Sequence, residues 1–445
     1  MKRQIDLTSG SIIKDLILFM LPIFFANLFQ QLYNTVDTMI VGYNLGNDAL
    51  AAMGASASIY ELMVGFATGV GAGFGVVIAR LYGAKNIEGL KKAIASSLVL
   101  SLILSLIIML LSLFLLKPLL IFLNTPYEIF DDAHKYIFII SIFVLVTVAY
   151  NLSAGLLRAK GNSFIPLISL IISSIINILL DLYFIVELKM GVEGAAIATV
   201  IAQFISAIFC IIYIFIKDKE LICEKRHFKY DKVLVNDLIG QGLSMGMMLS
   251  IVALGTLILQ TAINNLGTIV IASYISSRKI FNIIALPMST LATALVTFVS
   301  QNAGANLNER IIKGVRTSNI LTIIWGIFSI IMIYLFSDQL ITLVSGNGGR
   351  ELIAYSDMYL KIAVIFFPVL GVLFNLRSSL QGLGKKVVPL ISSIVELVGK
   401  ILFTLIFIPV LDYLGICLAE PIIWCMMTLQ LIFAYRKSQV FNKIN

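Results

Sequence analysis

The chain has 445 residues, of which 59% are hydrophobic and only 13% are charged, about half the charged fraction of a soluble globular domain. Apolar stretches of roughly 20 residues, long enough to cross a hydrocarbon core, recur along the whole sequence and lack the alternation of membrane β-strands. The net charge of +8 comes from Lys and Arg residues in short connections, with no continuous basic face, which argues against nucleic-acid binding. The composition therefore predicts an all-α, multi-pass protein of the lipid bilayer.

The four cysteines and two histidines give no sign of a metal or redox site. The cysteines show no CxxC spacing, and three lie in apolar runs, where a thiol behaves as a small hydrophobe. His134 and His227 fall in predicted connections, so we expect solvated side chains and no histidine inside the membrane. The sequence contains no HExxH or GxSxG motif. We predict that the chain is not an enzyme and needs no cofactor.

Apolar runs between polar breaks predict twelve transmembrane helices. In the first half of the chain they cover residues 12–40, 50–79, 93–116, 134–156, 164–186 and 192–216. In the second half they cover residues 235–262, 270–300, 317–344, 354–380, 389–410 and 413–435. No small-residue cleavage site follows the first apolar run, so we expect it to be retained as a helix.

Basic residues are concentrated in alternate connections, and the positive-inside rule assigns that side to the cytoplasm. These connections contain Lys2, Arg3 and Lys14; Arg80, Lys85, Lys91 and Lys92; Arg158 and Lys160; Lys217 to Lys232; Arg310, Lys313 and Arg316; Lys385 and Lys386; and Arg436 and Lys437. Because twelve crossings leave both termini on one side, we expect a protein of the cytoplasmic (inner) membrane with both termini in the cytoplasm.

The two halves are internal repeats. The segments 44–46 and 265–267 both read Asn-Leu-Gly at a shift of 221, and Leu157, Gly161 and Pro166 meet Leu380, Gly384 and Pro389 at a shift of 223. We predict an N-terminal lobe at residues 1–218, a polar cytoplasmic linker at 219–234 and a C-terminal lobe at 235–445. Six helices per repeat keep the same topology in each half, so the axis that relates them lies along the membrane normal.

Two aspartates lie inside predicted helices, where a carboxylate is costly and is usually kept for ion binding or proton relay. Asp37 and Asp181, with Asn177 and Thr199, fall in one layer of the outer half of the membrane when helix rise is counted. Asn177 and Asp181 are four residues apart and share a helix face. Convergent oxygens of this kind bind a proton or a hard cation. The alternative is that each polar group only joins neighbouring helices by hydrogen bonds.

The second half lacks this layer. Under the repeat shifts, Asp37 corresponds to Ile258, Asp181 to Thr404 and Asn177 to Lys400. Lys400 and Glu396 are four residues apart and are expected to pair with each other. The duplication therefore kept the scaffold but not the acids, and a coupling site is predicted in the first half alone.

Several further residues are candidates for movement, packing or contact with a ligand. Pro22 is a candidate kink or hinge, because it removes a backbone hydrogen bond inside the first helix; a static bend is the alternative. Gly65, Gly69 and Gly73 predict close helix contact. The candidates for lining a cleft and contacting substrate are Glu61, Arg278, Lys279, Met53 and Met63. Snorkelling to the interface is the alternative for the basic side chains.

Four segments resemble the multidrug and toxic compound extrusion (MATE) family. They are Gln30 to Gly42 after Leu21-Pro22, Asn177 to Asp181 followed by Gly191 to Thr199, Ser300 to Ala305, and Gln381 to Gly384. The resemblance implies a V-shaped pair of six-helix lobes around a central cleft, acting as an antiporter that exports amphipathic, often cationic compounds in exchange for H+ or Na+. Asp37, Asn177, Asp181 and Thr199 match the cation site of the family's first lobe. They would be metal ligands only if the ion is Na+.

Some family members instead carry acids in the seventh and tenth helices, but this chain has none at residues 243–262 or 362–380. We expect a monomer that binds small amphipathic molecules. A lipid-linked precursor flippase of the same superfamily is the alternative within transport. An intramembrane aspartyl enzyme is the alternative in another class, because two close carboxylates can share a proton. The residues leave the physiological substrate, and the choice between H+ and Na+, open.

Overall fold

A computed structural model describes residues 4–346 and 349–438, and the chain is almost entirely helical within those ranges. The helices of the first half are α1 Ile12–Leu45, α2 Asn47–Gly83, α3 Ile87–Phe122, α4 Tyr127–Ile142, α5 Val144–Ala159, α6 Phe164–Asp181 and α7 Val192–Lys217. Those of the second half are α8 Lys232–Asn264, α9 Thr268–Gly304, α10 Asn308–Ser345, α11 Arg350–Ile365, α12 Phe367–Gly382, α13 Val387–Leu402, α14 Ile408–Leu411 and α15 Tyr413–Arg436.

Twelve membrane crossings follow from these helices, as the sequence predicted. Ten are helical segments long and apolar enough to span a bilayer, and the other two are bent pairs, α4 with α5 and α11 with α12. The pairs bend by 49° and 54° at Phe143 and Phe366. The sequence predicted each pair as one unbroken helix, and that prediction was wrong. Pro368 explains the second break, because its ring and missing N–H do not fit a continuing helix. No proline or glycine marks the first break.

Backbone irregularities recur at equivalent places in the two halves. Phe143 and Phe366 are 223 residues apart, the shift read from the sequence. Residues of positive φ also recur at shifts of 221 or 223: Gly46 and Gly267, Lys85 and Asn306, and Lys189 and Asp412. A π-helical turn continues α6 at Leu182–Glu187, and another continues α13 at Phe403–Phe407. The repeat is therefore visible in the backbone conformation even where the equivalent residues differ in type.

The buried faces of α3 and α10 are rich in small residues, and many of their large apolar residues lie on the outer face. On α3 the buried face includes Ser97, Ser101, Ser105 and Ser112, and on α10 the equivalent face includes Ser318, Thr322, Gly326 and Ser329. The leucines at 110, 111 and 113 on α3 are about half exposed. Lipid solvates such leucines as well as protein does, so helices associate through the small side chains that permit close approach.

The chain forms two compact units. The first comprises residues 1–10, 18–250 and 304–306, and the second comprises 11–17, 251–303 and 307–445. The change of unit falls inside α8, after Ser250, and the lobe boundaries expected from the polar linker stay a prediction. Asp15, at the start of α1, belongs to the second unit, where it accepts a hydrogen bond from Arg310 at 3.1 Å.

The connection between α7 and α8 packs closely on the first unit. Lys160, at the end of α5, is buried and pairs with Asp218 and Glu220 at 2.8 Å each. His227 is fully buried: its Nδ1 accepts from the backbone N–H of Glu224 at 2.9 Å, and its Nε2 lies 3.3 Å from Glu88. The prediction of a solvated His227 was wrong, because these partners replace water around the ring. His134 lies within α4, half-buried, and stacks on Phe138.

Two pairs of glycines allow α2 and the first half of α8 to cross closely within the first unit. A Cβ added to Gly73 would lie 2.5 Å from the carbonyl oxygen of Gln241 and 2.6 Å from Cα of Gly242. A Cβ added to Gly69 would lie 2.7 Å from Cα of Gly246. These obstacles are backbone atoms, which cannot rotate away. The predicted close contact is thus confirmed for Gly69 and Gly73, whereas Gly65 has nothing within 4 Å of its added Cβ among the described residues.

We expect Gly73→Ala to lower the unfolding temperature of the detergent-purified protein, because the methyl group forces α2 and α8 apart. Overpacking of this kind costs about 1 to 3 kcal/mol. Gly65→Ala on the same helix is the matched control and should be neutral or stabilising, since alanine is the better helix former. Fluorescence-detected thermal unfolding measures both variants. Equal unfolding temperatures for the two would contradict the close crossing.

Candidate functional site

Two buried carboxyl groups meet inside the first unit. Asp37 lies on α1 and is 8% exposed, and Asp181, the last residue of α6, is fully buried. The two carboxyl groups are near enough to interact electrostatically. The structure thus brings together the two acids that the sequence singled out. Two carboxylates in contact repel each other, so this arrangement favours the uptake of a proton or another cation.

The same place contains an unusual set of polar atoms without hydrogen-bond partners. Among the described residues, both carboxyl oxygens of Asp181, one of Asp37 and both amide atoms of Asn177 are buried and lack a partner. Asn177 is one turn before Asp181 on α6 and is 2% exposed. A buried polar atom without a partner is costly and is rare in folded proteins. The oxygens among these atoms therefore form a site suited to a proton or a metal cation.

Thr199 lies half-buried on α7, the helix that packs against α6. Gly194, five residues before it, lets α7 approach the π-helical turn after Asp181: a Cβ there would lie 3.0 Å from Cβ of Phe184. In that turn the N–H of Leu188 donates to the carbonyl of Tyr183, five residues earlier, at 3.0 Å. Such turns occur as local bulges in helices, frequently at functional sites. No pattern in the sequence indicated this turn.

Tyrosines that the sequence analysis missed surround the two acids. Tyr136 on α4 is near enough to interact electrostatically with both carboxyl groups, and Tyr33 on α1 is similarly near Asp37. Tyr60 on α2 lies close to Gln203 on α7, whose side-chain oxygen accepts a hydrogen bond from Thr147. The available signal was the presence of polar aromatic and amide side chains inside apolar runs. Polar side chains of α2, α4, α5 and α7 thus lie close to the acids or belong to the group formed by Tyr60, Thr147 and Gln203.

The donor set fits a proton or Na+ better than a transition metal. Two carboxylates and an amide supply hard oxygens, whereas transition metals favour nitrogen and sulfur ligands. Within residues 4–346 and 349–438, no three His, Cys, Asp or Glu side chains are grouped as metal ligands. The equivalent place in the second unit has Thr404, whose buried hydroxyl also lacks a partner, and Lys400.

The remaining candidates lie in different surroundings. The helix α1 continues through Pro22 without a break, and Glu61 on α2 is exposed. Met53 and Met63 are half-buried and pack against apolar clusters of the first unit. Arg278 donates to Glu420 at 2.6 Å in the second unit, while the neighbouring Lys279 is exposed. Of the candidates, Asp37, Asn177 and Asp181 carry the buried oxygens without partners, and Thr199 lies on the adjoining helix α7.

Comparison with known proteins supplies relatives that span the whole chain. The MatE family profile matches residues 22–183 and 244–406. Two probable multidrug resistance proteins of Bacillus subtilis, YpnP and YoeA, are each 26% identical to the chain. The alignment with YpnP covers 92% of both chains, and that with YoeA covers 96% of this chain and 93% of the relative. The probable multidrug resistance protein NorM of Thermotoga maritima is 23% identical over 86% of this chain and 83% of its own.

Solved structures share the fold. An outward-facing multidrug resistance MATE family transporter of the MOP superfamily superposes with a TM-score of 0.89 at 24% identity, covering 97% of this chain and 96% of the other. A MATE protein in a bent conformation gives the same TM-score, identity and coverage.

We expect Asp181→Asn to leave the unfolding temperature in detergent unchanged or to raise it. The substitution removes a buried carboxylate that lacks hydrogen-bond donors and faces a second acid, so it relieves a cost. The matched control is Asp218→Asn, another buried aspartate of the first unit, which does have a partner in Lys160. That variant should lose about 1 to 3 kcal/mol. A loss for Asp181→Asn as large as that for Asp218→Asn would mean that Asp181 stabilises the fold.

Proposed function

The chain belongs to the MatE family, whose members are transporters and not enzymes, and from this premise we propose that it is a secondary active multidrug exporter. In this proposal it extrudes amphipathic, often cationic organic compounds in exchange for H+ or Na+. The relatives named above as multidrug resistance proteins support the substrate class. No cofactor is required, because the ion gradient supplies the free energy.

The proposed coupling mechanism rests on one observation. Asp37, Asp181 and Asn177 have buried side-chain oxygens without hydrogen-bond partners. A proton or Na+ bound there neutralises the repulsion between the two acids. A bound ion shifts a conformational equilibrium only by its difference in affinity for the two states. Asp37 and Asp181 come from different helices, so a change in their separation alters that affinity directly. Asn177 and Thr199 would complete the oxygen shell around Na+.

The hydrogen bonds of Arg278 disfavour the alternative of a lipid-linked precursor flippase. A flippase needs basic side chains that are free to hold a pyrophosphate. The Arg278 guanidinium is instead hydrogen-bonded to the carboxylate of Glu420 at 2.6 Å, with a further contact to Tyr359 at 3.4 Å. An exporter of organic compounds makes no such demand, so the paired Arg278 favours it.

Transport of this kind requires a defined orientation in the membrane. We propose a monomer in the cytoplasmic membrane with both termini on the cytoplasmic side, as the distribution of Lys and Arg indicates. The connection between α7 and α8 is then cytoplasmic, and the connection between α3 and α4 lies outside. Asp37 and Asp181 lie toward the outer ends of their helices in that orientation.

Asp37→Asn is expected to abolish ion-driven efflux, because an amide cannot change charge as the ion binds and leaves. Asp181→Val should do the same, whereas Thr404→Val at the equivalent place of the second repeat removes only a hydroxyl. A helix–helix hydrogen bond of about 0.6 to 2 kcal/mol is the most that Thr404→Val loses. The measurement is dye accumulation inside everted vesicles at equal expression, with Na+ and pH gradients imposed separately.

Asn177→Ala is the graded control and should impair efflux less than Asp181→Val, since it removes a ligand oxygen but no charge. Loss of ion dependence in Thr404→Val, together with its survival in Asp181→Val, would place the coupling site in the second half. The separate gradients also decide between Na+ and H+, because only the coupling ion drives efflux.

A cysteine at position 229, in the connection between α7 and α8, should react with a membrane-impermeant reagent in everted vesicles and not in right-side-out cells. Lys229 is exposed. Burial raises the pKa of the native Cys223 to about 11, so that thiol reacts slowly, and Cys223→Ser removes it from the background. Tyr127→Cys, at a residue 93% exposed, is the control and should react only in intact cells. The opposite pattern for both positions would reverse the orientation.

A further inference from the structure

Five charged side chains form one connected network inside the second unit, and the coupling mechanism uses none of them. They come from α9, α12, α13 and α15 and are Arg278, Arg377, Glu396, Lys400 and Glu420. Their side chains are 25%, 11%, 13%, 3% and 9% exposed, in that order. Ionisable groups at membrane depth are costly and are usually kept for a function. The network therefore needs an explanation of its own.

The contacts run in a chain from one basic group to the next. Arg278 donates to Glu420 at 2.6 Å, and Tyr359 donates to the same carboxylate oxygen at 3.3 Å. The Lys400 ammonium lies between two acids, 3.0 Å from Glu396 and 3.9 Å from Glu420. The predicted pairing of Lys400 with Glu396 is thus confirmed.

The network carries one more positive charge than negative. Three basic groups face two carboxylates, and an arginine stays charged inside a protein. An isolated buried charge costs several kcal/mol, so buried charges occur in compensated sets. Asp357, another acid of this unit, is not available for this, because it pairs with Lys361 at 2.8 Å. One negative charge is needed to balance the five groups.

Arg377 has the unused donor in this network. Its Nε donates to the hydroxyl of Ser392 at 3.0 Å. Its Nη2 is buried and makes no hydrogen bond to the described residues; the nearest oxygen of Glu396 is 3.6 Å away, beyond hydrogen-bonding distance. A guanidinium binds planar anions such as carboxylates through pairs of parallel N–H donors. The excess charge and the unused donor thus indicate the same chemistry.

We propose that Arg377 and its network bind the carboxylate of amphipathic substrates that carry both a cationic centre and an acid. This inference rests on the proposed export function and adds a subsite of opposite polarity to the first-unit acids. The carboxylate supplies the missing negative charge and accepts from Arg377 Nη2. A substrate whose acid is esterified lacks both contributions.

The test compares two rhodamine dyes that differ in one group, a zwitterion with a free carboxylate and its methyl ester. Efflux of each is measured from vesicles containing the full chain, with the ion gradient imposed. The wild-type protein should show a KM about tenfold lower for the free acid than for the ester, equivalent to about 1.4 kcal/mol. Arg377→Gln should abolish this preference by raising the KM for the acid alone. Its remaining charges balance, so its unfolding temperature should not fall.

Arg377→Lys keeps the charge but loses the planar pair of donors, so it should retain part of the preference. Lys361→Gln, which removes a partly exposed lysine of the same unit, is the matched control and should keep it all. Equal KM values for both dyes in the wild type would overturn the proposal, as would a preference that survives in Arg377→Gln. If one basic group of the network were uncharged, the network would already be balanced, and the wild-type KM values for the two dyes would be equal. Efflux of neither dye would instead contradict the proposed export function.

Discussion

The absence of water from the bilayer interior is the constraint on which the rest of this structure depends. Every polar group placed there must find a partner within the protein or remain unpaired at a cost of several kcal/mol. The chain satisfies this requirement almost everywhere with helices whose serines and threonines bond to their own backbone, as Ser105, Ser112 and Thr322 do. Atoms without a partner on charged side chains are therefore informative. The oxygens around Asp181 and the unused donor of Arg377 are both of this kind.

The two units meet the constraint in opposite ways. In the first, two acids face each other with no basic residue bonded to either within the described residues, so the deficit is of positive charge. In the second, Lys400 pairs with Glu396 and Glu420, each of which also faces an arginine, and the deficit is of negative charge. A duplicated scaffold has thus acquired two electrostatic environments without a change in the order of its helices.

The sequence predicted the parts that depend on composition and spacing. Twelve crossings follow from apolar runs, and the convergence of Asp37 on Asp181 follows from counting residues back from the outer ends of two helices that cross the membrane in the same direction. The pairing of Lys400 with Glu396 follows from helical periodicity. The breaks at Phe143 and Phe366, by contrast, depend on packing around them, and only the second has a local signal in Pro368. His227 was misassigned because its burial results from a fold of the connection against α3, which residue type alone does not indicate. The tyrosines around the site were missed because an aromatic residue in an apolar run resembles core.

The π-helical turns have a consequence for the history of the chain. Such a turn contains one more residue than the α-helical turn that it replaces, so it records an insertion. Turns at Leu182–Glu187 and Phe403–Phe407 lie at corresponding points of the two repeats, which makes one insertion before the duplication the simplest account. Asp181 immediately precedes the first turn and its equivalent Thr404 lies within the second; these two residues differ and so diverged afterwards. The π-helical turn is then older than the duplication, whereas the difference between Asp181 and Thr404 arose after it.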